Sequence, residues 1–137
     1  GTVTGDVAIK LPDTPGTLAL SDGPKYLIPF QLTVEDGDNV NLSDSAYTTA
    51  YMIELAWIGG TGAMDINLPL ASSSTNRTFR FISNSGFTQN GSHSATINPS
   101  GTDTLDGSTS GFLINRPYEG LKIWSNGTEW FVIQQKA

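Results

Sequence analysis

Apolar and polar residues alternate in short runs along much of this chain, and clusters of Gly, Asn, Asp, Ser and Pro separate the runs. Period-two alternation is the mark of a strand with one buried face. YLIPFQLTV (26–34) puts Tyr26, Ile28, Phe30, Leu32 and Val34 on one face and Leu27, Pro29, Gln31 and Thr33 on the other. Pro29 cannot donate to a ladder, which places this strand at an edge or breaks it there. MDINLPL (64–70) points Met64, Ile66 and Leu68 inward and Asp65 and Asn67 outward. RTFRFIS (77–83) is a strand with Phe79 and Phe81 on one face, and SATIN (94–98) is a short strand ended by Pro99.

The run from Ala46 to Ile58 has the length and alanine content of a helix. Its Thr, Tyr, Ile and Trp residues favour strands instead, and Gly59-Gly60 stop it abruptly. Tyr51, Ile53, Leu55 and Trp57 then face one way, and Gly59–Gly62 reads as a hairpin turn. TINPSGTDTLDGSTSGFLI (96–114) is almost all turn chemistry, with Ile97, Leu105, Phe112 and Ile114 as widely spaced pegs into a core. LKIWSNGTEWFVI (121–133) is two runs split by Asn126-Gly127, a pair suited to a two-residue type I′ hairpin. That register pairs Ile123 with Trp130 and Leu121 with Val132 on one face. The opposite face then carries Lys122, Trp124, Glu129, Phe131 and Ile133. A hairpin with large apolar residues on both faces needs a second covering, from its own domain or from a neighbouring subunit. Those five residues are therefore the candidate oligomer or partner interface.

Nine or ten such strands predict an all-β fold, an antiparallel β-sandwich of jelly-roll-like or barrel-like form with tight turns. Residues 26–137 form one domain in this reading, with no internal repeat. Residues 1–25 hold three prolines and little alternation, and are expected to be an N-terminal arm or irregular edge.

Composition narrows what such a domain can do. At 137 residues it can hold a core without staples, and it has no cysteine for a disulfide or thiolate chemistry. A net charge of −6, with no basic patch interleaved with aromatics, argues against nucleic acid as a partner. No apolar run reaches the ~18 residues of a membrane span. Only 15% of residues are charged, and Gly, Ser, Thr and Asn fill the gap.

No catalytic or metal-binding set assembles from the motifs. His93 is the single histidine, lies in a Gly/Ser loop and reads as a solvated side chain. Glu35, Asp36 and Asp38 flank Gly37 but lack the distal Glu of a calcium loop, so they read as a solvated turn. Asp103 and Asp106 read as turn-formers. Exposed aromatics could stack on sugars, with Trp124, Trp130 and Tyr118 as candidates and Trp130 assigned to the core. Packing within or between subunits is the simpler role for Trp124. No cofactor, no metal and no enzyme activity are expected.

From about Val40 to Ile133 the chain resembles a module of tailed-bacteriophage virion structural proteins, found in head-decoration, tail-fibre and tail-spike proteins. The resembling pieces are INLPLASSSTNRTFRFI, ATINPSGTDTLDGSTS and YEGLKIWSNGTEWFVI. A strand ending in Leu-Pro, a Thr-Ile-x-Pro stretch, a Thr-Leu-Asp-Gly corner and a Tyr-Glu hairpin follow in the family's order. Residues 1–39 lie outside the resemblance. It implies a non-catalytic structural or attachment module of the virion, assembled as a homo-oligomer, with trimers common. The expected function is capsid decoration (cement or head fibre) by protein–protein adhesion, with a capsid or tail structural protein as partner. The alternative is a receptor-binding or carbohydrate-binding module that engages a host surface glycan.

Overall fold

The computed structural model describes residues 30–137. The expected N-terminal arm and the part of the first strand before Phe30 lie outside the described residues. The described residues hold nine strands, in chain order β1 Phe30–Glu35, β2 Asn39–Asn41, β3 Ala50–Ala56, β4 Met64–Asn67, β5 Thr78–Ser83, β6 Ala95–Asn98, β7 Phe112–Ile114, β8 Gly120–Ser125 and β9 Trp130–Lys136. Two single 3₁₀ turns, Ser45–Tyr47 and Ala71–Ser73, are the helical elements among the described residues.

The strands form two sheets. One has five strands in the order β9-β8-β5-β3-β1, and the other has four in the order β2-β4-β6-β7. The expected all-β class holds. The antiparallel expectation does not: β1 with β3, β3 with β5, β2 with β4, and β4 with β6 all run parallel. Among the nine described strands, antiparallel pairing is confined to β6 with β7, β5 with β8, and β8 with β9.

From β1 to β6 the chain alternates between the sheets at every step. Each return lays a strand parallel to its predecessor, as in a β-solenoid. Gly59–Gly62, expected as a hairpin turn, instead carries the chain from β3 in one sheet to β4 in the other. The alternation pattern states which side chains turn inward. It is silent on which strand lies alongside, and that is where the antiparallel reading failed.

The winding also uncovers a repeat that the sequence reading missed. Val40-Asn41-Leu42, Ile66-Asn67-Leu68 and Ile97-Asn98-Pro99 occupy equivalent places in successive turns of the chain. Their backbones stay laddered past the strand ends, since Leu42 N–H donates to Asn67 O (2.9 Å) and Leu68 N–H donates to Asn98 O (2.8 Å). Unequal connections between these units hide the period.

One apolar cluster fills the space between the sheets. It takes Val34, Ile53, Leu55, Phe79, Phe81, Leu121, Ile123 and Trp130 from the five-stranded sheet, and Met64, Ile66, Ala95, Ile97 and Ile114 from the other. Met64, Ile66 and Phe79 are fully buried, and Leu68 and Phe81 nearly so, as the alternation predicts; of the four expected pegs, Ile97 and Ile114 are fully buried, Leu105 nearly so and Phe112 half-buried. Trp130 is the largest of them. Its indole N–H donates to Pro69 O (3.2 Å), and its ring lies 5.6 Å from that of Phe79. In β3 a register irregularity against β1 exchanges two neighbours: Ala50 is buried, while Tyr51 is only half-buried and lies 5.7 Å from the Arg80 guanidinium.

Candidate interaction surface

The predicted hairpin forms, in a shifted register. Trp130 pairs with Ser125, Phe131 with Trp124 and Val132 with Ile123, so four residues make the turn. Asn126 is the cause. Its side-chain oxygen accepts from Thr128 N–H (2.8 Å) and Glu129 N–H (2.9 Å), while its own N–H donates to Glu129 O (3.2 Å). Gly127 takes φ of +94° and Asn126 does not take a positive φ, so a type I′ turn is excluded. The slip is two residues, which equals the side-chain period, so each strand residue keeps its face.

Leu121, Ile123 and Trp130 accordingly turn into the core, and Lys122, Trp124 and Phe131 lie on the outer face, half-buried. The rings of Trp124 and Phe131 stack at 5.8 Å with 29° between their planes. Glu129 falls in the turn instead of the strand and accepts from Thr104 Oγ1 (3.2 Å). Ile133 sits at a bulge between Val132 and Gln134 and is 49% exposed. The bulge makes Gln134, in place of Ile133, the neighbour of Lys122 and sets Lys136 opposite Gly120. Three of the five expected interface residues thus share a face, one is adjacent at the bulge, and one is tied up in the turn.

Pairing extends this outer face across the whole sheet. One cross-strand row reads Gln31, Met52, Arg80, Lys122, Gln134, and the next reads Thr33, Glu54, Ile82, Gly120, Lys136. A shallow groove runs along the rows, with Met52 and Ile82 shared by both its halves. Gly120 opens it: a Cβ there would meet Ile82 Cδ1 at 3.4 Å and Lys136 Cβ at 3.6 Å. Arg80, Lys122 and Lys136 line one half, and Glu54 and Tyr118 line the other. Arg80 Nε is buried and has no hydrogen-bond partner among the described residues. Sequence reading reached Lys122, Trp124 and Phe131 because they alternate within one hairpin. It missed Arg80 and Ile82, which join the face by antiparallel pairing with Lys122 and Gly120, and Met52, which joins by parallel pairing with Arg80, all over long sequence separations.

Tyr118 stands at the rim, 57% exposed and held at φ of +60°. That left-handed conformation is uncommon for a non-glycine residue and needs support from its surroundings. Glu119 supplies it. Its buried carboxylate accepts from Asn115 N–H (2.9 Å) and Arg116 N–H (3.2 Å), and its N–H donates to Ser83 Oγ (2.9 Å).

The outer face of the four-stranded sheet is built differently. Asn41, Asn67 and Asn98 lie in register, with Asn39, Asp65 and Thr96 in register beside them. Asn67 Nδ2 donates to Asn39 Oδ1 (2.8 Å) and Asn41 Oδ1 (2.9 Å). Asn98 Nδ2 donates to Asp65 Oδ1 and Asn67 Oδ1, both at 3.2 Å. The amides of this face are spent largely on one another.

The remaining polar candidates have structural partners. Asp36 Oδ1 accepts from Ile58 N–H (2.8 Å), and Asp38 Oδ2 accepts from Glu35 N–H (2.9 Å). Among the described residues no group of three or more His, Asp or Glu side chains is placed to hold a metal ion. Asp103 accepts from Ala71 N–H (2.7 Å). Asp106, at φ of +51°, accepts from Val132 N–H (2.9 Å) and donates its own N–H to Trp130 O (2.9 Å), so the Thr-Leu-Asp-Gly corner docks on the edge of β9. His93, expected in solvent, is half-buried: its ring stacks on Trp57 at 3.9 Å, with Nδ1 2.9 Å from Gly86 O. Trp57 and Phe87 give the loop an apolar seat on which a planar ring packs better than it hydrates. The Arg77 guanidinium lies over the Phe79 ring at 4.4 Å and donates to Tyr47 O (2.9 Å), and burial lowers its pKa from the ordinary value.

Neither a protein-family model nor a curated protein matches this chain.

Proposed function

We propose that this chain is a bacteriophage virion structural protein, a capsid decoration (cement or head-fibre) protein that works by protein–protein adhesion. The two sheets serve as the layers of a sandwich, and the protein acts as a homo-oligomer, a trimer, on a capsid or tail structural protein. The observation that carries this reading is the outer face of the five-stranded sheet. It sets Trp124, Phe131, Met52 and Ile82 beside Arg80 and Lys122 on paired strands. A rigid platform of mixed apolar and cationic side chains suits a standing contact, because little side-chain order is lost when it is covered. Adhesion stabilises the shell by linkage, since the ligand binds the assembled surface alone; at a hundredfold excess over Kd that amounts to ~2.7 kcal/mol per site.

A second reading, a tail-fibre or spike module that binds a host surface glycan, draws on Tyr118, an exposed aromatic ring fixed at a groove rim. Co-sedimentation of the protein with emptied, expanded heads tests the first reading, and saturable binding that Trp124→Ala abolishes is the expected result. Binding on a glycan array, with no affinity for heads, would replace it by the second.

A further inference from the structure

One half of the groove is cationic in an acidic chain. Within residues 30–137 the cations are Arg77, Arg80, Arg116, Lys122 and Lys136, and three of them, Arg80, Lys122 and Lys136, line one half of a single groove. The net charge of the chain is −6. The floor between these cations is Met52, Ile82 and the bare backbone of Gly120, a notch open to a narrow insert. Arg80 lines the groove, and a guanidinium pairs with a carboxylate through a planar fork of donors.

The same chain carries a complementary charge. Glu35, Asp36 and Asp38 crowd the tight turn between β1 and β2, closed by Asp38 N–H to Glu35 O (3.0 Å) and by the Asp38 side chain on Glu35 N–H (2.9 Å). Asp36 anchors that turn on Ile58 N–H (2.8 Å), so the acids are presented on a fixed frame. Glu35 and Asp38 are exposed.

From these features we infer that the groove of one copy receives the Glu35–Asp38 turn of a second copy. The inference rests on the adhesive reading above and names one of its contacts. Donor and acceptor are different surfaces of the chain, so the contact is head to tail, the heterologous kind that closes into a ring when its rotation allows. Exposed ion pairs contribute little singly, so covering Met52 and Ile82 supplies most of the affinity, and the charges supply register and partner choice.

Sedimentation equilibrium of the full chain tests this at low and high salt. Raising salt from about 50 mM to about 500 mM shortens the screening length and weakens association by about tenfold. Lys122→Glu and Glu35→Lys each weaken self-association by about tenfold at low salt, and the variant carrying both recovers to within about threefold of the parent. Both positions are at the surface, and circular dichroism checks that each variant is folded. A parent chain that remains one subunit at about 100 μM in low salt overturns the inference, since so weak a contact could not hold a ring. So does an assembly indifferent to salt and to both single reversals. Co-sedimentation with heads separates the two claims: a monomer that still binds heads sinks this contact and leaves adhesion standing. A salt-sensitive oligomer with no affinity for heads does the reverse.

Discussion

The first six strands are dealt alternately to the two sheets by one winding path, yet the outer faces of the sheets differ in kind. On the four-stranded sheet, Asn39, Asn41, Asp65, Asn67 and Asn98 satisfy one another through four side-chain hydrogen bonds of 2.8–3.2 Å. On the five-stranded sheet, parallel registry brings unlike residues together, with Met52 beside Arg80 and Glu54 beside Ile82. Parallel pairing stacks whatever lies at equivalent positions. Identical amides stacked this way close a ladder that asks little of any partner. A row of unlike apolar and cationic groups leaves area and charge to be covered. The first face therefore serves the fold, and the second is the one proposed for contact.

This contrast can be attacked in order of expected effect. The core is common to both sheets, so Trp130→Ala sets the upper scale. Removing a fully buried indole and orphaning Pro69 O costs about 3–5 kcal/mol in urea unfolding, enough to leave the chain marginal. Asn67→Ala probes the polar face at its centre, where one side chain donates twice and accepts once. A loss of about 1–2 kcal/mol is expected, with head binding unchanged. A neutral result there would remove the distinction between the faces. Asp106→Ala should cost about 1 kcal/mol, because Val132 N–H loses its acceptor and alanine suits φ of +51° poorly. Asp106→Asn keeps both properties and should stay within about 0.5 kcal/mol of the parent. The smallest effect on stability belongs to the contact face. Trp124→Ala should cost less than about 1 kcal/mol, since the ring is half-buried and stacks on Phe131, while it removes adhesion to heads. A larger loss in unfolding than in binding would make Trp124 a core residue and return the face to the fold.

Much of the inside was legible from the chain. Met64, Ile66, Phe79 and Phe81 were placed in the core by alternation, because burial of one strand face requires a period of two, and Ile97 and Ile114 as apolar pegs in a polar stretch. The hairpin face was legible for the same reason, and it survived a wrong turn type because the slip was an even number of residues. The displacement of Glu129 into the turn was not, since it depends on where Asn126 spends its side-chain acceptor, and neither was the bulge after Val132, which alternation does not mark. The Val-Asn-Leu, Ile-Asn-Leu and Ile-Asn-Pro units stood in plain view, but unequal connections hid the repeat that sets the parallel register.

By itself, then, the order of residues determined that this is a strand protein, which side chains it buries, and that one hairpin is apolar on both faces. Tertiary structure alone decided which strands are neighbours, and with that the composition of each outer face. The physical reason is range. Alternation and turn chemistry act between residues a few positions apart, whereas parallel partners such as Met52 and Arg80 or Asn41 and Asn67 are joined only when the chain has wound back on itself.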